Sequence, residues 1–473
     1  MLSREVLWLL VQCFYLSKYI FSNSQIFLSL EVVYLKNKVP LVDFLIHKKK
    51  SRRWLDFLQL RFYDETLVIK RVEMFNNPLK LLNWSVFFQT QIFMLPIMLL
   101  FYQSNGLTKG DYFLFQGIFS IAALCFEVPA GYIADWISRK KVLILSYALF
   151  LLRLVLWYFL GGYWIVLIGE LLYAASKALF SGIADGYIYD LLKSKGQTKR
   201  MLKRYGRMNF FMSAGTAIAS LLGATLYEEY GIVTLIVIEI IFNLIALVML
   251  FFLPDVPSER TDTLTIREKY HDLFRIARSA LTNEKIKYYI GYSAMAVAAS
   301  MIFVWSFQPL MQIAGIPIAL FGVIYFINHA FRALASYLLD STMKIFTLKS
   351  LGVILYCLFI LAFFIAISME YVKSVWISMG MMTFICFVIA TQLTFTLASI
   401  SRIHTFVSSS IRSTVLSLNT MVSRLLTGFV LILFKFLLDG VNMQSAFYIY
   451  LAMFMLSAYP LIKLLKQPDT KSN

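Results

Sequence analysis

A chain of 473 residues that is 60% hydrophobic, 16% aromatic and only 15% charged does not have the composition of a water-soluble globular protein, in which charged residues make up about a quarter. Its formal net charge of +18 would suit a nucleic-acid binder, but the excess is spread over short connectors between apolar runs, which excludes nucleic acid as a partner and points to membrane topology. Those runs are about 20 residues long, enough to cross ~30 Å of hydrocarbon as helices, so the chain is an all-α polytopic membrane protein.

Residues 1–73 hold only short apolar patches (5–17, 26–35, 39–46), interrupted by charge and followed by the basic cluster HKKKSRR at 47–53. None reaches span length, and no small-residue cleavage site follows the first, which argues against a cleaved signal peptide. Two readings stay open. One is an interfacial helix with an anionic-lipid-binding cluster. The other is a working unit that begins near Met74, with residues 1–73 as an extension outside it.

From residue 81 the sequence predicts twelve spans: 81–102, 112–136, 142–160, 163–190, 208–227 and 231–253, then 288–313, 317–340, 346–369, 374–401, 411–438 and 443–465. Two sets of six, 74–253 and 288–473 with its short tail, flank a polar linker at 254–287. Within that linker, 264–281 has the apolar spacing of an amphipathic surface helix. Connectors after even-numbered spans, the linker and the tail carry nearly all the basic residues, Arg139, Lys140, Lys141, Lys199, Arg204 and Arg402 among them. Connectors after odd-numbered spans hold only Lys109 and Lys373. The expectation is that both ends and the linker are cytoplasmic.

GYIADWISR (131–139) closes span two, and SYLLDSTMK (336–344) closes span eight. Tyr, an aliphatic, Asp and a basic residue recur in register, so Gly131, Asp135 and Arg139 have Ser336, Asp340 and Lys344 as counterparts. The same register sets Arg332 opposite Glu127. Matching motifs at matching span ends are what a duplicated transporter produces.

With these features the sequence resembles the major facilitator superfamily. That family has twelve spans in two pseudo-symmetric six-helix bundles and a G-x-x-x-D-R-x-G-R-K motif after span two. Gly131, Asp135, Arg139 and Lys140 match that motif, while Trp136 and Ser138 depart from it. RSTVLSL (412–418) is similar to the family's pattern at the start of span eleven. The resemblance implies a conformational latch: Gly131 lets helices approach closely, and Asp135 meets the positive N-terminal end of span eleven near Ser408 and Arg412. Arg139, Lys140 and Asp190 complete the charge cluster.

Ionisable residues inside spans are costly and mark function by default. Here they are Glu127, Arg153, Glu170, Lys177, Glu239, Arg332 and Arg424. Glu170 and Lys177 share a face of span four, which lines the central cavity in the family. Glu170 is the candidate proton carrier, with a structural pair to Arg153 or Lys177 as the alternative. Glu127 and Arg424 face each other if spans two and eleven are neighbours. Glu239, on a span peripheral in the family, is assigned a minor part. Gln91, Gln308, Gln312, Asn328, Gln392 and Asn419 are candidate cavity hydrogen-bonders.

No Walker sequence, nucleophile–base set or metal-ligand spacing is present, so no cofactor or enzymatic activity is expected. The expected function is proton-coupled secondary transport by alternating access, with efflux of an amphipathic small molecule as the first reading. Uptake or exchange of a zwitterionic or anionic metabolite is one alternative. A transport-inactive sensor or scaffold with the same fold is another. The expected setting is the bacterial plasma (inner) membrane, as a monomer among lipid.

Overall fold

The computed structural model describes residues 77–256, 282, 284–406 and 412–466. The extension 1–73, the linker segment 264–281 and the serines at 408–410 lie outside them, as do the side chains of Asp135, Asp340 and Arg412. The chain divides into two compact units, Met1–Leu82 and Asn83–Asn473. In the first, Asn77 Oδ1 accepts the backbone N–H groups of Leu79 and Lys80, opening a helix with Pro78 at its first position. Everything below concerns the second.

Among the described residues every regular element is helical. Helix α1 (Pro78–Gln89) is followed by a 3-10 turn at Leu95–Ile97 and by α2 (Met98–Ser104). Then come α3 (Lys109–Trp136), α4 (Arg139–Phe159), α5 (Tyr163–Phe180), α6 (Ile183–Ser194) and α7 (Met201–Phe251). The second half holds α8 (Glu284–Ile313), α9 (Phe321–Tyr337), α10 (Leu339–Ile345) and α11 (Leu348–Ser368). It continues with α12 (Val375–Phe406), α13 (Arg412–Gly440), α14 (Met443–Met455) and α15 (Ala458–Leu465).

Ten of the described helical stretches are long and apolar enough to cross a membrane, against the twelve spans expected from sequence. The difference has two causes. The stretch 203–251 is a single 49-residue run that holds two limbs, because the chain reverses at Gly231 without leaving helical hydrogen bonding on either side. Gly231 sits at φ 74°, ψ 177°, which a side chain would resist. The first span is interrupted: α1 stops at Gln89 and helix resumes only at Leu95, where Pro96 lacks the N–H that an unbroken helix needs.

The halves meet along two seams, α3 against α13 and the first limb of α7 against α9. At the first seam a Cβ on Gly117 would lie 2.8 Å from the Gly428 carbonyl, and one on Gly428 would lie 3.0 Å from the Gly117 carbonyl. Backbone therefore touches backbone, as small residues allow in membranes. At the second seam Gly322 is pressed against the Ser220 carbonyl.

The two motif copies differ in shape. After α3 only Ile137 and Ser138 intervene before α4, whose first turn Ser138 caps through the Lys141 N–H. After α9 the chain instead builds the short helix α10, which contains Asp340 and Lys344, before Thr347 caps α11.

Candidate functional site

A cavity of about 530 Å³ lies between the halves. Its walls are the interrupted first span (Ile92, Leu95, Met98) with α3, α4 and α5 on one side, and α8, α12 and α13 on the other. A second pocket of about 110 Å³ lies among mostly apolar side chains of α8, α11, α13 and α14 and is lined by no charged residue.

Four charged side chains line the larger cavity: Arg153, Glu170, Lys177 and Arg424. Arg153 Nη2 donates to Glu170 Oε1 at 3.2 Å, and both side chains are only 2% exposed. The guanidinium is held between rings, 3.9 Å from the Trp157 centroid and 4.4 Å from that of Tyr173. Cation–π contact of this kind partly replaces the hydration an arginine loses on burial. The Tyr102 hydroxyl hydrogen-bonds Glu170 and accepts from Gln116 Nε2 at 3.2 Å. Glu170 thus sits between Tyr102 and Arg153 in a Gln116–Tyr102–Glu170–Arg153 chain, a polar network enclosed by apolar helices.

Lys177 does not join that network. Two turns along α5 separate it from Glu170, about 10 Å of rise. Its ammonium lies 5.3 Å from the Tyr173 centroid, with no carboxylate within 4 Å among the described residues. Arg424 Nη1 reaches Glu127 Oε2 at 3.3 Å, and the pair bridges α13 and α3 across the seam. Glu127 and Arg424 are 37% and 28% exposed, against 2% for each member of the Arg153–Glu170 pair. Beside them Ser120 Oγ donates to the Arg424 carbonyl.

The cavity is shut toward the 105–108 and 441–442 connectors. There Lys435 Nζ lies 3.3 Å from Asp111 and 2.9 Å from Asp439. Gln312 Nε2 donates to Gln103 Oε1 at 3.3 Å, and the Ala319 N–H donates to Glu228 at 2.9 Å. Each of these bonds except Lys435–Asp439 joins one half to the other.

At the opposite end Arg139 Nε lies 2.9 Å from Asp190 Oδ2. Lys140 Nζ donates to the Phe251 carbonyl at 2.9 Å, capping the C-terminus of α7. These three residues belong to the first half, so their described contacts brace that half and do not bridge to the second. Gly186 makes the arginine's position possible, since a Cβ there would overlap the Arg139 guanidinium. The sequence alone offered no sign of that role beyond a glycine in a helix.

The amides are mostly elsewhere than the sequence reading had them. Asn419 lines the cavity, but Gln91, Gln308, Gln312, Asn328 and Gln392 do not. Gln91 Nε2 returns to the Phe87 carbonyl, and Gln392 Nε2 to Thr396 Oγ1. Asn328 is buried within α9, and Arg332 is half-buried there, away from the cavity wall.

Gln308 has a distinct task that it shares with Glu239. The break in the first span leaves backbone donors and acceptors without helical partners, and hydrocarbon cannot satisfy them. Glu239 Oε1 accepts the Met94 N–H at 2.6 Å, and the carboxylate also takes the Phe93 N–H. Gln308 Oε1 accepts the Leu99 N–H at 2.6 Å, while its Nε2 donates to the Leu95 carbonyl at 3.0 Å and to the Tyr325 hydroxyl at 3.0 Å. Glu239 is 1% exposed and central to the fold of span one, which corrects the minor part assigned to it from its span number. Pro96 was the signal in the sequence that such partners were needed.

Among the described residues no group of three or more His, Cys, Asp or Glu side chains could hold a metal ion.

Known proteins resemble the chain in both sequence and fold. An uncharacterized transporter of Buchnera aphidicola subsp. Acyrthosiphon pisum is 20% identical over 176 residues, which is 37% of this chain and 43% of that protein. The chain therefore matches less than half of that relative's length. Among solved structures, the nucleoside transporter NupG superposes with TM-score 0.67 at 14% identity, over 83% of this chain and all of the other. A POT family transporter bound to 5-aminolevulinic acid gives 0.67 at 13%, over 82% and 95%. A bacterial homologue of the lysosomal transporter Spinster, inward-facing and unoccupied, gives 0.59 at 13%, over 83% and 95%. At such identities the likeness is one of fold. The sequence profile of the Major Facilitator Superfamily matches residues 81–402, well over half of the chain, and the protein belongs to that family of membrane transporters.

Proposed function

We propose that the protein is a secondary active transporter working by alternating access, with the cavity between its halves as the substrate chamber. The observation that carries this reading is the asymmetry of the cavity: three bonds between the halves close it at the 105–108 end, whereas at the other the inter-half ion pair Glu127–Arg424 is substantially exposed. The basic connectors lie at that second end, which the positive-inside rule assigns to the cytoplasm together with both ends of the spanning region and the linker. The conformation is then inward-facing, in the plasma membrane of a bacterium, and the chain works as a monomer. Asp135, with Gly131 and Arg412, forms a latch between the halves that closes in the opposite state.

Transport is coupled to protons through Glu170. Among the described residues it is the one carboxylate on the cavity wall, and its partner Arg153 supplies the counter-charge when the proton leaves. A substrate that displaced the guanidinium, or a helix movement that parted the pair, would drive protonation, since a lone carboxylate in that setting is costly. The cavity wall sets apolar and aromatic side chains beside polar ones, which suits export of an amphipathic small molecule.

The test is proton flux in liposomes holding the full chain and a trapped pH dye, challenged with a panel of amphipathic compounds, for wild type and Glu170→Gln. A substrate-triggered pH change that the variant loses supports the reading. Substrate movement without any pH change removes proton coupling, and no movement of any compound removes transport.

A further inference from the structure

The ionic accounting of the cavity leaves one charge over. Arg153 is neutralised by Glu170 at 3.2 Å, and Arg424 by Glu127 at 3.3 Å. Lys177 is a wall residue without a carboxylate partner among the described residues. It also shares the Tyr173 ring with Arg153, whose guanidinium is 4.4 Å from the ring centroid against 5.3 Å for the Lys177 ammonium. Two cations on one ring with a single carboxylate between them make a local positive potential, and low-dielectric walls intensify it. From the second half, Asn419 lines the same cavity, and its Oδ1 is buried without a hydrogen-bond donor. A buried acceptor left open is costly until something donates to it. Between these polar points the wall is apolar and soft, with Ile92, Leu95, Met98, Met301, Trp305 and Leu431.

We infer that the chamber takes a small organic monoanion, a carboxylate or sulfonate on an apolar body with one O–H or N–H donor. Lys177 holds the anionic group and Asn419 accepts from the donor. The volume of about 530 Å³ limits the ligand to the size of an ordinary small metabolite or drug. The inference rests on the cavity being the substrate chamber, as in the transport reading, and adds to it the sign of the substrate's charge and the residue that selects it. It makes Lys177 a specificity-determining residue and leaves Glu170 and Arg153 free for coupling.

The experiment measures binding to the full-length chain in detergent with four related aromatic probes: para-hydroxybenzoate, benzoate, para-hydroxybenzamide and para-hydroxybenzylamine. The anion para-hydroxybenzoate should bind at least about tenfold tighter than the neutral amide or the cationic amine, the size of effect that one partly buried charge contact supplies. Lys177→Gln should erase that ratio, Lys177→Arg should keep it, and Asn419→Leu should erase the preference for para-hydroxybenzoate over benzoate. Equal binding of the three charge types, a ratio that survives Lys177→Gln, or no binding of any probe overturns the inference. Counterflow of the same labelled probes in liposomes separates it from the transport reading. Charge-selective binding without flux sinks transport and leaves the anion site standing, whereas saturable flux of the amine or amide with exclusion of the anion does the reverse.

Discussion

The interrupted first span makes a sharp demand on two residues far away in sequence, and removing one of them has a calculable effect. In Glu239→Ala the Met94 and Phe93 N–H groups lose a carboxylate acceptor, one of the bonds being 2.6 Å long. Hydrogen bonds to a charged group contribute about 1.5–3 kcal/mol each, and the alanine offers no acceptor in their place. Burying the carboxylate has its own cost, which the variant recovers, so the net loss is about 3 kcal/mol rather than the full sum. Because Gln308 still holds Leu95 and Leu99, the damage should stay local. Hydrogen–deuterium exchange reads this directly: amides between residues 93 and 99 should exchange about a hundredfold faster, at about 1.4 kcal/mol per tenfold, while α4 and α11 keep their protection. Glu239→Gln, which retains an acceptor oxygen, should show less than half of that free-energy change. Gln308→Leu should open the same amides, and the double variant should fall short of additivity, since both act on one break. Unchanged exchange over 93–99 in Glu239→Ala would refute the claim that this carboxylate carries the break.

Other perturbations test the remaining contacts. Arg153→Met leaves Glu170 buried without its counter-ion and should destabilise the protein by about 3–5 kcal/mol in thermal or denaturant unfolding, with Arg153→Met/Glu170→Gln recovering most of the loss. Gly186→Val should expel the Arg139 guanidinium and separate it from Asp190, which charge-sensitive footprinting or a cross-link between residues 139 and 190 would report; an intact pair in that variant refutes the packing argument. Gly117→Leu should force α3 and α13 apart, lowering stability by several kcal/mol or arresting the protein in the conformation where that seam is open, measured by the distance between spin labels placed on the exposed faces of α3 and α13. Asp135→Asn should leave insertion and folding intact while slowing transport strongly, and wild-type rates in that variant would remove the latch.

Much of this molecule was legible in its sequence because the membrane imposes its terms segment by segment. A run of about 20 apolar residues is committed to a spanning helix by transfer energy alone, and charged connectors are excluded from the hydrocarbon whatever the rest of the chain does. The all-helical class and the assignment to a polytopic membrane protein followed from those local terms. The span whose shape the sequence did not disclose is the first, where Pro96 interrupts an apolar run that looks continuous, whereas the boundary at 231 between the fifth and sixth spans was legible and Gly231 is the turn itself.

The choice of partners was a different matter. Glu170 could have paired with Arg153 or Lys177, and both alternatives satisfied the sequence equally. The rotation of α4 against α5 decided for Arg153, and with it left Lys177 to face the cavity. Glu239 looked peripheral by span number, and only the packing of the second limb of α7 against the broken first span brought its carboxylate onto the Met94 N–H. Periodicity tells which face of a helix a residue occupies, and hydrophobicity tells how deep it lies. Which donor meets which acceptor depends on how helices hundreds of residues apart are turned and spaced against each other. That arrangement is set by the sum of packing at sites such as Gly117, Gly428 and Gly322, and only the tertiary structure carries it.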